Sequence, residues 1–172
     1  MRTLKILGFF LTYPEQEHIQ AADECAAILQ SEKWLSDKGH EKVLQAVRRF
    51  KEKSLLDLQE DYVALFDRTP SLSLHLFEHI HGDSRDRGQA LVDLLKVYED
   101  AELFIDREEM PDYLPLFTEY VATLPHQQAS ETMGSVVNIL SSLSERLRNR
   151  ESFYADFLDA MIETAARSPD PK

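Results

Sequence analysis

The sequence predicts an all-α fold, and three observations predict it. Apolar residues recur at i, i+3, i+4 and i+7 in stretch after stretch, the period of a helix with one buried face. Val43, Ala46, Val47 and Phe50 follow it, as do Leu91, Leu94, Leu95 and Tyr98. Leu55, Leu58, Tyr62 and Leu65 form a comparable stripe, and so do Val136, Leu140, Leu143 and Leu147. No segment sustains apolar/polar alternation between turn residues, so the main sign of a strand is missing. Prolines punctuate the pattern, and each biases the residue before it away from helix, separating one helix from the next.

The elements follow in order. Ile6 to Leu11 is an apolar stretch that gives a first core helix near 3–11. Positive charges precede it, as in a signal peptide. It is nevertheless too short for a signal h-region, and it meets Tyr13-Pro14 and acidic residues without a small-residue cleavage site. Pro14 suits the first turn of a second helix, near 15–31, where Glu15 and Glu17 oppose the positive end of the macrodipole. The Val43 and Leu55 stripes place helices near 38–52 and 55–66. Thr69-Pro70 breaks the chain before a short helix near 72–79, and the Leu91 stripe marks one near 84–101. Gly82 permits a sharp turn into that helix, and Asp83 or Ser84 supplies its N-cap. Leu114-Pro115 and Leu124-Pro125 bracket a helix near 115–123, followed by helices near 130–148 and 152–166. One helical domain over 1–168 is expected, with 169–172 as a frayed tail.

A chain of 172 residues, 43% of them hydrophobic, can bury one real core. Its formal net charge of −12 disfavours nucleic acid, which rewards clustered Lys and Arg. An acidic surface favours solubility or a basic partner. Cys25 is the single cysteine, so neither an internal disulfide nor a cysteine-based zinc site is open to one chain, and a reducing compartment fits best. No stretch approaches the roughly 20 apolar residues that span a bilayer, so membrane contact is expected only through a partner. Between Glu99 and Pro115 lies a non-periodic acidic loop around Leu103, Phe104 and Ile105, the kind of long connection that carries function as often as it merely docks on the core.

The densest chemistry is LFEHIHGDSRDRGQALVDLL, Leu76 to Leu95. His79 and His81, with Glu78 and Asp83 beside them, are ligand types for zinc, iron or nickel. On a helix, however, positions i and i+2 diverge by about 200°, so structural or peptide-contacting histidines are favoured over a metal pair. Such imidazoles would tune binding near neutral pH. Arg85 and Arg87 fall in a first helical turn, where the macrodipole disfavours cations. Either acids such as Glu78 and Asp83 offset them, or a bound anion does. Gly88 suggests close helix packing. No serine elbow, P-loop or dinucleotide fingerprint is present, and the chain is not expected to be an enzyme.

The central run, the preceding DYVALF (Asp61 to Phe66) with DRTPSLSLH, and the later MPDYLPLFTEYV (Met110 to Val121) resemble the NarJ family of nitrate reductase delta-subunit chaperones. LSERLRNRESFYADFLDAM (Leu143 to Met161) extends the resemblance more loosely. The family pattern falls on Tyr62, Leu65, Phe66, Asp67 and Arg68, on Leu76 to Gly88, and on Pro111, Tyr113, Leu114 and Pro115, where many members carry His instead of Tyr113. Many members also continue with a further C-terminal segment, whereas this chain stops soon after Arg167.

The resemblance implies a cytoplasmic helical-bundle chaperone that binds the basic N-terminal segment of the respiratory nitrate reductase α subunit. It would hold that subunit until its molybdenum cofactor is inserted, with no cofactor tightly bound to itself, as a monomer or weak dimer. The candidate peptide site is Tyr62, Phe66, Glu78, His79, His81, Asp83, Arg85 and Arg87, with the acidic loop from Asp106 to Asp112 at its edge. Two other readings stay open: a helical adaptor with another client, and a metal-dependent hydrolase using His79 and His81.

Overall fold

A computed structural model describes residues 1–167, and the expected tail at 169–172 lies outside them. Ten α-helices occur among the described residues, and the only β-type pairing is an isolated bridge between His75 and Tyr113. The all-α prediction holds. None of these helices is long and apolar enough to cross a membrane.

Helix α1 (Arg2–Phe10) packs on α2 (Gln16–Ser31), on α7 (Leu114–Val121) and on α10 (Tyr154–Ala166). Helix α10 is the centre of the bundle, flanked also by α3 (Asp37–Glu52), α8 (His126–Gly134) and α9 (Val137–Arg148). The α3 stripe of Val43, Ala46, Val47 and Phe50 is buried as its spacing predicts. Phe10, Phe50, Phe153 and Phe157 form the aromatic middle, where Phe10 stacks on Phe157 at 5.1 Å. Ser36 and Ser54 cap α3 and α4 (Leu55–Tyr62) by accepting the N–H groups of Gly39 and Asp57.

The turn between α1 and α2 is held by a buried histidine. His18 Nδ1 accepts the Glu15 N–H at 3.0 Å, so the ring proton sits on Nε2, which reaches Thr12 Oγ1 and the Phe9 carbonyl. Burial pushes the His18 pKa down against the pull of Phe9 and Glu15, consistent with this neutral tautomer.

Three boundaries differ from expectation. The helix predicted near 130–148 is two helices, broken at Ser135 and Val136. Ala129, Met133, Val136, Leu140, Leu143 and Leu147 are all buried in one continuous phase, so the spacing hides the break. Helix α4 runs into a π-helical turn at Val63–Asp67, closed by the Arg68 N–H on the Val63 carbonyl. The stretch expected to be helical over 72–79 is a 3₁₀ turn (Pro70–Leu72), an extended link, and a short α5 (Leu76–Ile80).

Helix α6 (Asp86–Asp100) begins after the expected caps. Ser84 Oγ accepts the Asp86 N–H, while Asp83 lies outside the helix. Gly82 has φ +54°, the left-handed turn for which glycine was expected. Gly88, by contrast, faces open space and permits no close packing. Of the α6 stripe only Tyr98 is fully buried, and Leu91, Leu94 and Leu95 are half-covered. Its hydroxyl donates to the Pro111 carbonyl at 2.7 Å.

The close approach of α1 to α7 needs Gly8. A methyl group there would overlap Thr118 Oγ1 and stand 3.3 Å from the Pro115 carbonyl oxygen. Gly8→Ala is expected to lower stability by about 1–3 kcal/mol through forced separation of the two helices. Urea unfolding at constant m-value checks this, and an unchanged midpoint would contradict the packing described.

Candidate peptide-binding cleft

Two features build the site: a strap that crosses the bundle, and the cleft that the strap borders. In the strap, Leu76 donates its N–H to the Asp112 carbonyl at 2.9 Å and Leu114 donates to the Leu74 carbonyl at 2.8 Å. This two-sided pairing brings the central run against MPDYLP. Asp112, 0% exposed, anchors it: Oδ2 accepts the Phe77 N–H at 3.0 Å, and Oδ1 lies 3.5 Å from His75 Nδ1. That last contact is a close approach rather than a formed hydrogen bond, for neither atom has a hydrogen-bond partner among the described residues. Burial pushes the Asp112 carboxyl up. His75, the Phe77 N–H and the charge of Arg87 together outweigh it and hold the group below its ordinary value.

The cleft lies where the end of α1, α2, α7, the end of α4 and the acidic loop meet. Its first hollow, about 500 Å³, has an apolar floor that includes Ile6, Phe9, Ala21, Cys25, Pro115 and Leu116, and a rim of Lys5, Glu17, Glu109 and Glu119. A second hollow of about 450 Å³ is lined by Tyr13, Tyr62, Tyr113, His75 and Met110, with Asp67, Glu108 and Glu109 around them. Glu109 and Tyr113 belong to both, so the two hollows adjoin at these residues.

The tyrosines at the junction are fixed by the fold. The Leu11 carbonyl can only accept, so Tyr62 donates to it at 2.9 Å and Tyr113 donates in turn to the Tyr62 oxygen at 2.7 Å. Burial and the neighbouring Tyr113 push the Tyr62 pKa far up, keeping the pair neutral. Tyr113 is also raised by burial, lowered by the Tyr62 hydrogen bond, and raised again by the nearby Asp67 and Glu109 carboxylates.

The structure separates the residues singled out from sequence. Tyr62 lines the groove by its edge, but Phe66 is buried in the core rather than along an open trough. The α-to-π transition turns Phe66 inward, onto the Tyr62 ring at 4.9 Å and the Tyr154 ring at 5.1 Å. His79 donates through Nε2 to the Ser73 carbonyl at 2.7 Å, an acceptor-only group, and His81 packs edge-on against Phe77. Among the described residues no three His, Cys, Asp or Glu side chains converge as a metal site. Arg87 pairs with Glu78 at 3.3 Å, whereas Arg85 is exposed and makes no ion pair among the described residues.

Asp83 and Arg87 line a third, shallow hollow with Gly88 and Met110, and it adjoins the second hollow at Met110. Asp106 is exposed, as expected of a loop acid, but Asp112 is internal because its carboxylate is the strap's anchor. Phe104 does not dock on the core: it is 79% exposed. Sequence reasoning missed Phe9, Glu17, Leu116 and Glu119. The signal available was the all-round apolar character of α1, whose Ile6 and Phe9 lie off the Leu4, Leu7, Leu11 stripe.

A family model described as the nitrate reductase delta subunit matches residues 18–166. The chain belongs to that family. Its members are assembly chaperones rather than catalysts, as the resemblance implied. The probable nitrate reductase molybdenum cofactor assembly chaperone NarW of Escherichia coli (strain K12) is 40% identical over 169 residues, which cover 98% of this chain and 70% of the relative. The nitrate reductase molybdenum cofactor assembly chaperone NarJ of the same organism is 40% identical over 170 residues, 99% of this chain and 72% of the relative. A probable chaperone of the same name from Bacillus subtilis (strain 168) is 26% identical over 164 residues, 93% of this chain and 86% of the relative. The delta-subunit match takes in α2 to α10, and with them most of the groove walls.

Proposed function

We propose that this chain is a cytoplasmic assembly chaperone for the respiratory nitrate reductase α subunit. It holds the subunit's basic N-terminal segment in the groove while the molybdenum cofactor is inserted. The observation that carries this reading is the meeting of the two hollows at Glu109 and Tyr113, an apolar floor bordered mainly by carboxylates. An amphipathic helix lays its apolar face in such a trough and its cationic residues against such a rim. Of the residues expected from sequence, Tyr62 touches the segment. Glu78, His79, Asp112 and Arg87 act at one remove by fixing the strap, and Asp83 lines the hollow beyond Met110.

Calorimetric titration with a synthetic peptide of the α subunit's N-terminal segment tests the proposal. Leu116→Ala, on the groove floor, is expected to weaken binding at least tenfold, about 1.4 kcal/mol. Raising the salt concentration is expected to slow association, since the rim acts over the range of a Debye length. A folded Leu116→Ala protein that binds like the parent, with no salt dependence, moves the site elsewhere.

A further inference from the structure

The second hollow differs in kind from the first. Its walls are aromatic: the Tyr13 ring meets Tyr62 edge-on at 5.8 Å, and His75 lies against Tyr113 at 5.4 Å. Asp67, Glu108 and Glu109 line it, and none of them is in an ion pair among the described residues. No lysine or arginine lines it, whereas the first hollow has Lys5. Both inner hydroxyls are already committed, Tyr62 to the Leu11 carbonyl and Tyr113 to Tyr62, so neither has a proton to offer an anion. His75 faces the buried Asp112 carboxylate, which offsets any charge the imidazole gains. Ring faces and uncompensated carboxylates attract a cation and repel an anion, and the attraction grows where water is partly excluded.

We infer that the hollow walled by Tyr13, Tyr62 and Tyr113 is a subsite for one arginine side chain of the bound segment, while the floor beyond Glu109 takes the segment's apolar face. This rests on the groove being the client site. A planar guanidinium suits the hollow better than an ammonium, because it stacks on tyrosine while its edge donates to two carboxylates at once. The junction at Glu109 and Tyr113 then sets the register, with the arginine side chain on the Tyr62 side and the nearest apolar anchor on the Phe9 side.

Two measurements test the subsite. In the first, each arginine of the client peptide is replaced in turn by citrulline and each lysine by norleucine, and binding is compared for the parent, Tyr13→Ala, Asp67→Asn and Glu52→Gln proteins. Tyr13 is 43% exposed, so its truncation leaves the core intact, and Glu52 is an exposed carboxylate outside the groove. One citrulline replacement is expected to weaken binding about tenfold in the parent and the Glu52→Gln protein but less than about twofold in Tyr13→Ala and Asp67→Asn. Peptide that binds with equal citrulline losses in all four proteins overturns the subsite and leaves the groove standing. Coupling to a lysine instead overturns the guanidinium assignment.

In the second, free of the client, arginine amide is titrated into the chain while the tyrosine ring resonances are followed by NMR. Saturable shifts of Tyr13 and Tyr113 with arginine amide and none with citrulline amide support the subsite. No shift with either overturns it, whatever the peptide does.

Discussion

Phe10→Ala is expected to lower the unfolding free energy by about 4 kcal/mol, the largest effect of any single truncation considered for this fold. The ring is 0% exposed, stacked on Phe157 at an interplanar angle of 5°, and edge-on to Phe50 at 5.2 Å. It therefore joins α1 to both α10 and α3, and the void left by its removal is walled by side chains that cannot all collapse into it. Aromatic pairing adds to the area lost, since such pairs contribute about 1 kcal/mol beyond burial. Against a typical total of roughly 5–15 kcal/mol, the variant stands near the threshold of folding. Urea denaturation of Phe10→Ala and Phe10→Leu together checks the account. Leucine is expected to recover much of the loss, and a change below about 1 kcal/mol for alanine would mean that α1 is not anchored by this ring.

The second large effect is expected at Asp112. Asp112→Ala strips the part-buried Phe77 N–H of its acceptor and His75 of the carboxylate it faces, at a cost of about 2–3 kcal/mol. Half-exposed His75 can turn to water, which holds the figure below that of a wholly buried pair. The same network makes the loss depend on pH. The folded carboxyl titrates below its ordinary value of 3.8, so between the two values the unfolded chain binds more protons than the native one. Its stabilising contribution is therefore complete above about pH 4 and disappears as the pH falls through the folded value. Acid unfolding of the parent and of Asp112→Asn is expected to converge at low pH and to separate above it. Parallel curves would show that the carboxylate is not the strap's anchor.

How much of this was legible depends on the range over which each feature is encoded. The stripe from Val43 to Phe50 is local, and it gave both the helix and its buried face. The stripe from Leu91 to Tyr98 gave the helix but not its burial, because spacing does not say whether a neighbour covers the face. Ser135 and Val136 were invisible since the apolar phase runs through them unbroken. The groove is encoded at long range: Phe9 and Leu116, which share its floor, are more than a hundred positions apart, and no local pattern joins them. The family was recognisable from DYVALF and the central run. The weight placed on that run's charges came from their density, and density did not distinguish the strap's anchor, Asp112, from the exposed acid Asp106 a few residues earlier.

The paired strap also changes what the segment between its ends can do. Residues 77–111 leave the bundle beside Leu76 and come back beside Asp112, where hydrogen bonds in both directions hold the two ends together. Topologically this is an excursion closed at its stems, tied further to the rest of the chain by a few contacts such as the Tyr98 ring on Tyr120 and the Phe77 ring on the core. Closure entropy grows with the logarithm of loop length, so lengthening or shortening such an excursion changes the free energy of the whole fold very little. Local opening of α6 can likewise proceed while the helices packed around α10 keep their cooperativity. The α6 part of the excursion can thus vary in length and motion, while Glu108 and Glu109 at its returning end stay beside the floor on which a bound segment would rest.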